Sequence, residues 1–174
     1  MRFIALLRGI NVGGKSRVEM SRLKALFEGL GYTDVRTYIN SGNVVFTAEG
    51  TPDVQRIEGG IEQEFGFFVG VIVLSAAAFR SIAESIESTW QNDSEQRTDV
   101  LFLWPVVDDE SVLEKVSFNP DIEIARYVPG ALIWNIRREF VRKGGAIKLI
   151  NTDIYKHMTV RNCNTVRKLA RFLA

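Results

Sequence analysis

The residues Gly9-Ile10-Asn11-Val12-Gly13-Gly14-Lys15-Ser16 fit the pattern G-x-x-x-x-G-K-S/T letter for letter. In that pattern backbone amides cradle phosphates, the lysine reaches the β- and γ-phosphates, and the hydroxyl holds Mg²⁺. The segment also follows an apolar run and precedes a helical pattern, the context such chemistry requires. Two features argue against a P-loop NTPase. No apolar strand ends in the aspartate that would complete the metal site, since Asp99 precedes its strand. A hairpin follows the first helix, where a P-loop enzyme needs a run of β-α units. A milder expectation survives. Gly9, Asn11, Gly13 and Gly14, with Lys15 and the neighbouring Arg8 and Arg17, lie before a helix N-terminus as candidate ligand-binding residues, and amides and helix dipole there favour an anion. The competing reading is a turn that needs glycine for backbone geometry alone.

Two further polar clusters carry hydrogen-bonding chemistry. Tyr38, Asn40, Ser41 and Asn43 surround a turn, where amide and hydroxyl groups serve the turn itself or bind a ligand's polar edges. Arg161, Asn162 and Asn164 offer a guanidinium for phosphate or carboxylate, although Asn164 or Thr165 also suits the cap of the last helix. The acid–base inventory is poor. His157 is the only histidine and Cys163 the only cysteine, so neither a disulfide nor a Cys/His metal cluster forms within the chain. His157 is expected at the surface of its helix, and Cys163 as a buried inert thiol. Asp108, Asp109 and Glu110 fan around a helix start, where acids complement the dipole. Trp90, Trp104 and Trp134 are expected in a core or interface.

These residues need elements to hold them. Residues 2–8 form a continuous apolar run suited to a buried strand. Val18, Met20, Leu23, Leu26, Phe27 and Leu30 recur at helical spacing up to Gly31. Strands at 35–39 and 44–47 flank the Asn40–Asn43 turn. Thr51 and Pro52 open a second helix as cap and first residue, with Val54, Ile57, Ile61 and Phe65 as its stripe. A strand over 67–74 completes β-α-β-β-α-β. Ser75 caps a helix over 76–88, and the polar stretch 89–98 resembles a linker. A strand at 100–104, a helix that follows Asp108-Asp109-Glu110 and runs to about Val116, a hairpin of 122–128 with 131–136, and helices at 146–155 and 165–173 follow. The expected fold is α+β, with two ferredoxin-like (α/β plait) units over 1–90 and 91–174. The first unit is βαββαβ and the second a βαββα variant. Residues 2–8 and 67–74 are apolar on both faces, so their sheet predicts a cover from the second half or from a second subunit.

Composition narrows the class. Apolar residues make up 46 % and charged residues 25 %, with a net charge of +1, which gives no global pull toward nucleic acid or anionic membrane. The charge is uneven: residues 137–174 carry ten Lys/Arg against Glu139 and Asp153. That basic tail is either a solvated face or a surface for anions. No apolar stretch approaches a bilayer span and nothing resembles a signal peptide, so a cytoplasmic location without membrane attachment is expected.

Ala5-Leu-Leu-Arg8-Gly-Ile-Asn11-Val-Gly-Gly14-Lys15, then Val35-Arg-Thr-Tyr38-Ile-Asn40-Ser41-Gly42-Asn43-Val-Val-Phe46, resemble the bacterial domain-of-unknown-function family 1697. Met158-Thr-Val-Arg161-Asn162-Cys163-Asn164-Thr165-Val resembles its closing motif. The resemblance implies two α/β plaits and no assigned activity, substrate or cofactor. Cys163 stands where the family usually has Trp, which argues against a stacking role at that position, and Ser16 is not typical of the family, which marks the P-loop match as accidental. The leading functional expectation is a module recognising a phosphate-bearing ligand, a nucleotide or nucleic acid, through Arg8, Lys15, Arg17 and the basic tail. RNA is the weaker version, because no aromatic run of the kind that stacks bases on a plait occurs. The alternatives are an enzyme of a small polar substrate in a cleft between the halves, and a dimerising structural or regulatory plait. No cofactor and no metal are expected.

Overall fold

A computed structural model describes all 174 residues. The fold is mixed α+β with two four-stranded antiparallel sheets, consistent with two plait-like units. One unit comprises residues 1–79 with 169–174, the other residues 80–168.

In the first unit the order is β1 (Arg2–Leu7), α1 (Met20–Gly29), β2 (Thr33–Tyr38), β3 (Asn43–Thr47), α2 (Val54–Phe65) and β4 (Val71–Ser75). The strands lie in the order β2-β3-β1-β4. Phe3, Ala5 and Leu7 alternate onto the face that packs on α1 and α2, with Leu23, Phe27, Phe46, Ile57 and Ile61 in the same core. The opposite face carries Ile4 and Leu6, paired with Val45 and Asn43 on β3, and both are fully buried. Part of the cover this face predicts comes from the chain's own last residues. The Phe172 ring lies 3.8 Å from the Arg36 guanidinium and 5.4 Å from Tyr38, and Arg2 donates to the carbonyls of Phe172 and Ala174.

α1 begins at Met20, later than the Val18 of the apolar stripe. The Val18 N–H donates to the Asn11 side chain at 2.8 Å and its carbonyl accepts from the same side chain at 2.9 Å. The Asn11 side chain thus satisfies both Val18 backbone groups within the loop. α2 is capped by Asp53, which accepts from the Arg56 N–H, and not by Thr51. A carboxylate caps as well as a hydroxyl and complements the helix dipole better. Ser75 does cap α3 (Ala76–Glu84), accepting from the Ala78 N–H.

The second unit contains β5 (Gln96–Leu103), α4 (Val112–Lys115), β6 (Glu123–Val128), β7 (Ala131–Arg137), α5 (Gly145–Leu149) and β8 (Met158–Asn162), with α6 (Cys163–Phe172) following. Its strand order is β6-β7-β5-β8. β8 corrects the expected βαββα pattern: this half has four strands, not three. The expected helix over 146–155 ends at Leu149, whose carbonyl accepts from the Thr152 hydroxyl, and a separate 3-10 turn spans Asp153–His157. The polar stretch 89–98 is no simple linker, since β5 starts within it and Thr98 is fully buried with its hydroxyl on the Gln91 carbonyl. The helix expected after Asp108-Asp109-Glu110 is α4, and the Asp108 carboxylate itself accepts from the Tyr127 hydroxyl and the Gly130 N–H of the β6–β7 turn. Glu123 is buried and accepts from the N–H groups of Asn119 and Gly145 and from Trp134 Nε1, so each apolar-core donor around it is satisfied.

Candidate functional site

The glycine loop between β1 and α1 is a miniature hairpin. Val12 and Lys15 form a bridge, Lys15 N–H donates to the Val12 carbonyl at 3.2 Å, and Asn11 N–H donates to the Ser16 carbonyl at 3.0 Å. Gly13 and Gly14 occupy the two central positions with φ of +60° and +74°. Positive φ at both is the signature of a type I′ turn, which glycine adopts without steric cost. The turn therefore explains these two glycines. It also departs from P-loop geometry. Lys15 and Ser16 sit before α1 and outside it, and the amides of Asn11, Lys15 and Val18 are already donated within the loop. An amide cradle for phosphate is absent at those positions.

Asn11 joins two of the sequence clusters. Its backbone is left-handed, with φ of +55°. Its Nδ2 donates to the carbonyls of Val18 and Asn40, at 2.9 and 2.8 Å, while its Oδ1 accepts from Val18. Leu7 N–H adds a bond to the Gly42 carbonyl at 2.8 Å. The glycine loop and the β2–β3 turn thus meet at one end of the first sheet. Within the turn, Asn43 is fully buried and donates to the Tyr38 carbonyl and the Ser41 hydroxyl, so Ser41 and Asn43 serve the hairpin. Gly42 is required twice over: φ is +77°, and a Cβ would stand 2.6 Å from Leu7 Cβ. Tyr38 turns its ring to Phe172 on the sheet face.

The two loops frame an open cleft of about 440 Å³, lined by Asn11, Gly14, Lys15, Arg17, Glu19, Met20 and Asn40 with Val18 beneath. Lys15 and Arg17 are exposed and enter no ion pair. Glu19, at the N-cap of α1, makes no capping bond to the helix. Gly9, exposed with φ of +65°, and half-buried Arg8, whose N–H donates to the Gly70 carbonyl, flank this end of β1 without lining the cleft. Sequence reasoning passed over Glu19 and Met20. The only signal for them is their position at the start of a helix beside the glycine loop.

Arg161, Asn162 and Asn164 belong to the second unit. Arg161 is buried, donates to the Thr159 hydroxyl and the Val160 carbonyl, and burial lowers its pKa to about 10. Asn162 caps α6 by accepting from Thr165 N–H, a role the sequence assigned to Asn164 or Thr165, while Asn164 donates to the Asn92 carbonyl. Cys163 is fully buried, and burial raises its pKa, which disfavours the nucleophilic thiolate. Part of the basic tail is engaged close to home. Arg137 pairs with Glu139, Lys156 pairs with Asp153, Arg138 donates to Asp93 and Asn92, and Arg167 donates to the carbonyls of Glu87 and Trp90. Arg142, Lys143 and Lys148 are exposed outside those contacts.

The family model described as a protein of unknown function (DUF1697) matches residues 1–133. The chain belongs to this family. The match includes both loops of the cleft. A solved structure of the conserved bacterial protein SP0830 from Streptococcus pneumoniae is similar over 99 % of this chain and 98 % of that one, with a TM-score of 0.85 and 29 % identity. No curated protein matches this DUF1697 chain in sequence. No helix is long and apolar enough to cross a membrane.

Proposed function

We propose that both units are ferredoxin-like plaits and that the first carries a site for a phosphate-bearing anion. The plait reading is supported by the β-α-β-β-α-β element order of the first unit and by the equivalent strand orders of the two sheets. The anion reading rests on one observation above all: Asn11 fastens two loops together so that Lys15 and Arg17, both without ion-pair partners, line a single cleft. Recognition is through side chains, because the hairpin has consumed several of the amides. Exposed cations of this kind bind by charge, so affinity falls as salt rises. The cleft volume lies at the lower end of the range for small-ligand sites, which favours a mononucleotide or smaller phosphate ester over a polymer. The test is calorimetric titration with inorganic phosphate and a mononucleotide at low ionic strength, on the natural chain and on a Lys15→Ala/Arg17→Ala variant. Saturable heat that the double variant loses is the expected result. Flat traces from the natural chain would retire the proposal.

A further inference from the structure

The cleft holds charges of both signs that do not neutralise each other. Glu19 lines it together with Lys15 and Arg17, yet none of the three forms an ion pair with another. The Glu19 carboxylate is not spent on α1 either, since it makes no capping bond to the helix. Its contact there is to the Ser21 hydroxyl, which donates to it and leaves further lone pairs open. A site built for a bare anion gains nothing from a carboxylate in its wall, because like charge repels the ligand. A site built for a ligand with a phosphate at one end and a donor at the other gains from it twice: the donor is bound, and simple anions are disfavoured. The volume agrees, since about 440 Å³ is several times what one phosphate group fills, and Met20 and Val18 supply an apolar stretch of wall for the body between the two ends.

We infer that the ligand is a small phosphate ester carrying an ammonium group, with Lys15 and Arg17 taking the phosphate and Glu19 taking the ammonium as the specificity-determining residue. This rests on the anion reading above. The experiment compares three probes by calorimetry at low salt: inorganic phosphate, ethyl phosphate and phosphoethanolamine. In the natural chain phosphoethanolamine should bind about tenfold tighter than ethyl phosphate, the margin expected of one charge-assisted hydrogen bond. In Glu19→Gln that margin should fall to about twofold or less, while phosphate binds as well as before or better. Circular dichroism of the variant confirms that the exposed substitution leaves the fold intact. Equal affinity for phosphoethanolamine and ethyl phosphate, or a margin that survives Glu19→Gln, overturns this inference and leaves the anion site standing. Binding of none of the three overturns both.

Discussion

At the scale of single residues, Asn11 has the densest set of obligations in the first unit. Its side chain makes three hydrogen bonds while its backbone holds a left-handed φ of +55°. Asparagine tolerates that conformation better than other non-glycine residues. Asn11→Ala removes the bonds and keeps the conformational cost, so it should destabilise by about 2–3 kcal/mol. Asn11→Gly removes the bonds but relieves the backbone, and should be milder by about 1 kcal/mol. Urea unfolding of the two variants checks the order, and equal losses would show that the backbone conformation is immaterial. The sequence marked Asn11 as a binding residue by its place in a glycine-rich motif. It could not reveal that the amide's hydrogen bonds go to protein, because one of its partners, Asn40, is 29 positions away. Ser41, Asn43 and Asn162 have the same history: their side chains cap turns and a helix, as short polar side chains commonly do.

At the scale of elements, β1, α1, the β2–β3 hairpin and the β6–β7 hairpin were legible, because their apolar periodicity and turn residues agree. β8 was not. Thr159 and Arg161 place polar atoms on a buried strand face, and that breaks the alternation by which a strand is recognised. α5 was overdrawn for a related reason. Helical periodicity continues past Leu149, but the Thr152 hydroxyl takes the Leu149 carbonyl and the ladder ends. The glycines of the two loops can be ranked by environment. A Cβ at Gly13 meets nothing within 4 Å, so Gly13→Ala costs only its backbone strain, about 1 kcal/mol. At Gly42 the same strain is joined by approaches of 2.6 Å to Leu7 Cβ and 2.8 Å to Ile10 Cδ1. Gly42→Ala should therefore destabilise by at least about 3 kcal/mol, since buried atoms of β1 must move. Thermal or denaturant unfolding of the pair tests this, and a Gly42→Ala variant as stable as Gly13→Ala would contradict the packing at the turn.

For the molecule as a whole, the return of residues 169–174 to the first unit is the feature no local pattern foretold. The apolar character of β1 on both faces demanded a cover, and the chain's end supplies part of it, but such a contact spans more than 130 positions and leaves no trace in periodicity. Phe172→Ala should raise amide hydrogen exchange in β2 and β3 by about tenfold, through loss of the ring against Arg36 and Tyr38. Unchanged protection would mean the contact contributes nothing to that sheet. The cleft at the other loops is the functional counterpart, and its claim to bind an anion is open to one direct measurement. Amide chemical shifts followed by NMR during a titration with inorganic phosphate at low salt should move saturably within Asn11–Met20 and Ile39–Gly42, and stay fixed in the Lys15→Ala/Arg17→Ala variant. Shifts that never saturate, or that cluster in the second unit and leave the Asn11 loop still, would contradict the account.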